Sequence, residues 1–286
     1  MTASIGPTVR RRRLGTELRR LREGRSLKLE EVADKLGLAA STLSRIETGK
    51  APTRTAYLHA MLDLYGVDDP GQRQVLVDMA REGHRKGWWA AWDDVLPTGF
   101  DVYVGLEAEA ASLRAYEPQV VHGLLQTEGY AREVMTTVRR RQTADEIGRL
   151  VQLRMQRQEV IYRADPIELW LILDEAVIRR TMGTPELMRA QLNHLADASQ
   201  WPNVTLQVLP FSSGLHPALN GPFAIIEFPE RFDPDVVYTE GVGGQDYLER
   251  ERDVRARAEA FDLLRAAALS PVDSTDLIGT LAREIV

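Results

Sequence analysis

The stretch that most constrains this chain lies between Lys28 and Lys50, where two apolar patterns too short to stand alone flank a glycine turn. Val32, Ala33 and Leu36 share one side of a short helix, and Leu43 and Ile46 share one side of a second, from about Ala40 to Glu47. Gly37-Leu38 makes the turn between them, and Gly49 stands just past the second helix, where a C-terminal cap belongs. Helices this short are marginal in isolation, so they must brace one another and pack on a third. The preceding segment supplies it. Leu14, Leu18 and Leu21 recur at i, i+4 and i+7, and Gly24 stops that helix. Two more helices are expected, Ala56 to about Gly66 and Gln72 to about Glu82, with Leu58, Met61, Leu62, Tyr65, Val75, Leu76 and Met79 inward. A five-helix domain over residues 1–83 follows.

Charge sets this head apart. Residues 1–60 carry thirteen Lys and Arg against six acids, a net +7, while the whole 286-residue chain is −6, which leaves −13 for the rest. A basic head on an acidic body points to a polyanion met by the head alone, against the plainer reading of a solvated charge run. There is no cysteine, which excludes disulfides, thiolate metal sites and cysteine nucleophiles. No apolar run approaches the ~18 residues of a membrane span. No apolar stretch follows the first arginines, so a secretory leader is not expected and a cytoplasmic, nucleoid-associated protein is. Asn203-Val204-Thr205 has the form of a glycosylation acceptor and is read as strand composition.

The run Leu14 to Thr53 resembles the helix-turn-helix domains of phage repressors and their bacterial relatives (the XRE type). The resemblance rests on Val32, Ala33, Gly37, Leu43, Ile46 and the phrase Ser41-Thr42-Leu43-Ser44-Arg45-Ile46-Glu47-Thr48-Gly49-Lys50. It implies that the third helix enters the major groove of double-stranded DNA, with Ala40, Ser41 and Arg45 at base-reading positions. Opposite the apolar side stand Ala40, Ser41, Ser44 and Arg45. Arg45 has the donor fork for guanine, Ala40 suits a thymine methyl, and Ser41 and Ser44 suit base or phosphate. Lys28, Lys50 and Arg54 are read as phosphate contacts, and the resemblance implies a structural salt bridge between Arg22 and Glu47. Arg10 to Arg13 form either a flexible arm or the first turn of the first helix, where four bases oppose the helix dipole, which favours an arm or phosphate partners.

Beyond a Trp-rich linker, residues 84–100, the period of the pattern changes. Trp88, Trp89 and Trp92 are read as packing of the linker, with a ligand-stacking surface as the alternative. A helix is expected over Val102–Ala115, then helices over Thr127–Val138 and Thr143–Tyr162, the latter opened by the capping box Thr143-Ala144-Asp145-Glu146. Glu168–Leu173, Val204–Leu209, Phe223–Phe228 and Val236–Thr239 read as strands, Thr184-Pro185 starts a helix to about Ser199, and a long helix is expected from Asp246 to Leu269. The fold class is mainly α with an α+β C-terminal part, residues 101–286, in which a small sheet is backed by helices.

His122-Gly123-Leu124-Leu125-Gln126-Thr127, Asp174-Glu175-Ala176, Val208-Leu209-Pro210-Phe211 and Gly221-Pro222-Phe223-Ala224 resemble a domain of unassigned function. It follows a helix-turn-helix in many actinobacterial regulators, including the WhiJ-like proteins of Streptomyces development. That resemblance implies a small acidic or BldB-like protein partner and supplies no catalytic residues. His59, His84, His122, His194 and His216 show no metal-ligand spacing, so no metal or cofactor is expected. Asp174 reads as a helix N-cap, Ser212-Ser213-Gly214-Leu215-His216 as a polar loop without a nucleophile elbow, and Gly241-Val242-Gly243-Gly244 as a turn short of a dinucleotide pattern. The chain is thus expected to be no enzyme but a DNA-binding regulator, a homodimer on an inverted repeat. Its body would receive a protein partner or, alternatively, a small-molecule signal.

Overall fold

The computed structural model describes residues 7–84, 87–229, 234–241 and 244–285. The chain forms two compact units, Met1–Asp93 with Phe100–Glu109, and Asp94–Gly99 with Ala110–Val286.

The first unit holds α1 (Pro7–Gly24), α2 (Leu29–Leu36), α3 (Ala40–Glu47), α4 (Thr55–Leu64), α5 (Pro70–Gly83), a 3-10 turn at Trp88–Trp92, and α6 (Phe100–Glu109). Its core joins Leu14 and Leu18 to Val32, Ala33, Leu43, Ile46, Leu58, Met61, Leu62, Tyr65 and Leu76, as the periodicity indicates, and to Ala80, whereas Val75, also expected inward, is exposed. Asp69 caps α5 by accepting the Gln72 N–H, with Pro70 in the first turn. Arg10 to Arg13 lie within α1 and form no arm. Arg10 pairs with Glu82, and Arg11 Nη2 donates to Thr8 Oγ1.

The second unit is built on a six-stranded mixed sheet of β1 (Ser112–Glu117), β2 (Glu168–Asp174), β3 (Val204–Leu209), β4 (Phe223–Glu227), β5 (Val236–Gly241) and β6 (Gly244–Leu248), in the order β3-β2-β1-β4-β5-β6. β1, β2 and β3 run parallel, with α7 (Glu128–Val138) and α8 (Ala144–Arg157) crossing from β1 to β2. α9 (Glu175–Arg179) and α10 (Pro185–Ala198) cross from β2 to β3. β4, β5 and β6 continue antiparallel. α11 (Glu251–Ala267) covers one face, where Phe261 and Leu264 meet Tyr116, Ile172, Phe223, Ile225 and Val237. α12 (Pro271–Glu284) is tied to β3 by the Val208 N–H bond to Ser274 Oγ, 2.9 Å. The caps at Thr143, Asp174 and Thr184 each accept a backbone N–H at the start of their helix.

Three elements differ from the sequence reading. The helix expected over Val102–Ala115 stops at Glu109, and Ser112–Glu117 is instead a central strand paired on both sides. The alternation Leu113, Ala115 against Arg114, Tyr116 is masked by alanine and glutamate, which favour a helix locally. The helix expected from Asp246 begins only at Glu251, because Gly244–Leu248 folds back on β5. α12 was not anticipated, although Ser270-Pro271 repeats the N-cap and first-turn proline signature of Thr184-Pro185. Asn203 is buried and donates to Ile161 O and Ile167 O, a structural role.

Candidate nucleic-acid interface

α3 is held from behind and left open in front. Leu43 and Ile46 are buried, while Ser41 and Arg45 are exposed and Ala40 and Ser44 are half-buried. The turn before it depends on Gly37, whose φ of +64° suits a residue without a Cβ; the Leu38 N–H bonds Ala33 O there at 2.9 Å. At the other end of the helix, the Thr48 hydroxyl donates to Ser44 O at 2.8 Å and the Ala51 N–H to Arg45 O at 3.1 Å, turning the chain toward α4.

The rear anchor is a charge pair. Arg22 Nε donates to Glu47 Oε1 at 2.7 Å and Nη2 to Oε2 at 2.9 Å, both residues less than 9 % exposed, and Nη1 donates to Leu27 O. Two parallel bonds of this kind fix direction as well as distance. A glycine contributes that the sequence reading did not single out. A Cβ on Gly15 would lie 2.6 Å from the carbonyl oxygens of Ile46 and Glu47, so α1 approaches the end of α3 closely only because Gly15 has none. Its position three residues before Leu18, on the apolar side of α1, was the available signal.

The bases of the head divide by what they touch. Arg19 pairs with Glu23, Arg20 with Glu17, Arg22 with Glu47, and Arg25 donates to Tyr65 O and Gly66 O. Among the described residues, the side chains of Lys28, Lys35, Arg45, Lys50 and Arg54 form no hydrogen bond or ion pair. Lys28, Lys35, Arg45, Lys50 and Arg54 are also exposed. Lys28 and Arg54 stand immediately ahead of α2 and α4, where the positive helix ends add to their own charge. Lys35 belongs to this set, though sequence reasoning did not single it out. Exposed cations on and around a rigidly braced helix suit a polyanion, and a helix of this size fits a major groove.

α6 braces the start of α1. Thr8 N–H donates to Glu109 Oε1 at 3.1 Å and Val9 N–H to Oε2 at 2.8 Å, so a carboxylate 101 residues away in the chain satisfies two free amides of the helix N-terminus. Burial raises the Glu109 carboxyl to about 7, while those two bonds and the nearby Arg11 and Arg12 hold it down. Trp89 is buried in this unit against Gly87 and Gly105, and its ring meets Trp88 edge to face.

His84 Nε2 lies 2.8 Å from Thr53 O. His122 is buried, accepts the Leu124 N–H through Nδ1, and is driven down to about 3 by burial, then by Arg157 and Arg154. His194 packs edge to face on Trp201, and His59 is exposed on α4. Ser213 donates to Ala267 O, so the hydroxyl turns toward α11. Gly241 and Gly244 face each other across β5 and β6; residues 242 and 243 lie outside the described residues. Among the described residues no helix is long and apolar enough to cross a membrane.

Comparison with known families adds two matches. Residues 13–76 match a helix-turn-helix domain, and residues 100–280 match a domain of unknown function, DUF5753. No characterised protein and no solved structure matches the chain.

Proposed function

This chain belongs to the DUF5753 family and carries a helix-turn-helix domain ahead of it, and from that premise we propose a sequence-specific transcription regulator whose body controls the DNA binding of its head. The observation that carries the reading is the division of the basic residues, with Arg45, Lys28, Lys50 and Arg54 exposed on and beside α3 and, among the described residues, without partners. Arg45, Ala40, Ser41 and Ser44 read base edges, and Lys28, Lys50 and Arg54 hold phosphates. The protein acts in the cytoplasm, on the nucleoid, and as a dimer on an inverted repeat. One helix of eight residues reads only a few base pairs, whereas specific affinities of about 10⁻⁸–10⁻¹¹ M need a larger footprint. The WhiJ-like, actinobacterial regulators are the relatives this reading favours.

A second reading, a body that docks a protein, draws on Phe211, Leu215 and Leu219, three large apolar side chains exposed on one loop. A small acidic protein is the partner in that reading. Selection of bound sequences from random duplex DNA by the full chain tests the main proposal. Recovery of one motif with twofold symmetry supports it. Uniform retention of all sequences overturns it.

A further inference from the structure

Three stretches left unused by the DNA-binding reading lie at the same end of the strands of the second unit's sheet. They are Asp174 at the end of β2, the loop that carries His216, and the facing glycines of β5 and β6. The chain winds outward from β1 to β2 and β3 on one side and from β4 to β6 on the other, so the strand order reverses beside β1, and in open α/β sheets ligands bind outside the strand carboxyl ends at such a point. Tyr116 Oη donates to Asp174 Oδ2 at 3.2 Å and lies 3.3 Å from His216 Nε2. His216 Nδ1 accepts the Ala218 N–H, so in the neutral ring Nε2 carries the proton and donates to Tyr116. This chain of bonds pins the loop that leads from His216 into β4.

Next along that end is an open hollow of about 290 Å³, lined by residues 220–223 and 239–241 with Gly244, Asp246 and Arg257. Thr239 and Asp246 are cross-strand partners on the face that α11 covers. Glu240 also lines the hollow, but its carboxylate is engaged, accepting the Tyr238 hydroxyl at 3.0 Å. Asp246 and Arg257 carry opposite charges on the wall of one hollow, yet among the described residues neither side chain makes a hydrogen bond or ion pair. The Arg257 guanidinium is 5.7 Å from the centre of the Phe223 ring, a cation–π contact that orients it. The volume sits at the small end of ligand pockets, about 300–1,000 Å³, which suits an amino acid and is too little for a dinucleotide.

We propose that this hollow binds a small zwitterion of the α-amino-acid class. Its ammonium sits on Asp246 and its carboxylate on Arg257, the Thr239 hydroxyl adds a hydrogen bond, and Pro222 and Phe223 receive the side chain. As an effector site it rests on the reading that the body regulates the head, so binding and regulation are measured separately. The full chain is titrated calorimetrically with each of the twenty L-amino acids at millimolar concentration. At least one is expected to bind, with affinity lost about tenfold or more in Asp246→Asn and in Arg257→Gln. Its N-acetyl and amide derivatives, each lacking one charge, are expected not to bind.

A third variant, Gly241→Leu, guards against mere unfolding. A Cβ at Gly241 meets nothing within 4 Å, so a larger side chain enters the hollow without displacing its walls, and it should block binding while circular dichroism stays unchanged. Absence of binding by every amino acid overturns the site, as does binding that survives in all three variants or is matched by acetate or methylammonium alone. Binding that leaves operator affinity unchanged keeps the site and overturns the regulatory reading. Loss of the site with operator binding intact leaves the DNA-binding reading in place.

Discussion

Arg45 and Glu47 stand two residues apart on α3 and have opposite fates. Glu47 is buried against Arg22, where truncation would strand a charge, while Arg45 is exposed and, among the described residues, unpartnered. Arg45→Ala should therefore leave the fold intact, relax sequence preference, and cost about 1–3 kcal/mol on the preferred site. Unchanged selectivity in a binding-site selection removes Arg45 from base readout. Lys50→Ala should weaken binding to all sequences alike and lower the salt dependence by about one unit; a loss confined to one sequence contradicts the phosphate role. Gly15 belongs to the fold instead. Gly15→Ala drives a methyl into the carbonyls of Ile46 and Glu47 and should destabilise the head by about 1–3 kcal/mol in chemical denaturation. An unmoved midpoint would show that α1 and α3 have room to part.

Among the elements, α6 has the least expected role. It opens the residues that match DUF5753, yet it belongs to the compact unit of the head and caps α1 through Glu109. Burial raises the folded carboxyl to about 7 from the ordinary 4.5. A raised carboxyl favours the folded state below pH 4.5, and that contribution is lost as pH rises through 7. The loss across this window is at most about 3 kcal/mol. In Glu109→Gln the side-chain oxygen still accepts an N–H but cannot ionise, so the variant should lose less stability than the parent between those two pH values. Parallel stability profiles for the two proteins would sink this account. β1 shows why elements were misread. Ser112–Glu117 is locally helix-prone, and only pairing with Glu168–Leu173 and Phe223–Glu227 makes it a strand. By contrast the caps at Thr143, Asp174 and Thr184 were legible, because a cap is made with residues two or three positions away.

For the whole molecule, the proposed dimer makes a stoichiometric demand. Sedimentation of the chain with a duplex carrying two half-sites about one helical turn apart should give two chains per DNA, and moving the half-sites by half a turn should abolish the second. A single chain bound at full affinity would remove the dimer. What this sequence determined unaided was the helix-turn-helix itself, the alternation of strands and helices behind it, and the basic character of its head. Periodicity, glycine turns and caps act over a few residues, and charge needs only counting. The tertiary structure alone decided which bases remain free, that Glu109 caps a helix 101 residues earlier, and that β1 lies inside the sheet. It also set Asp246 and Arg257 around one hollow. Each of these depends on groups far apart in the chain meeting in space, and no local pattern of residues encodes such a meeting.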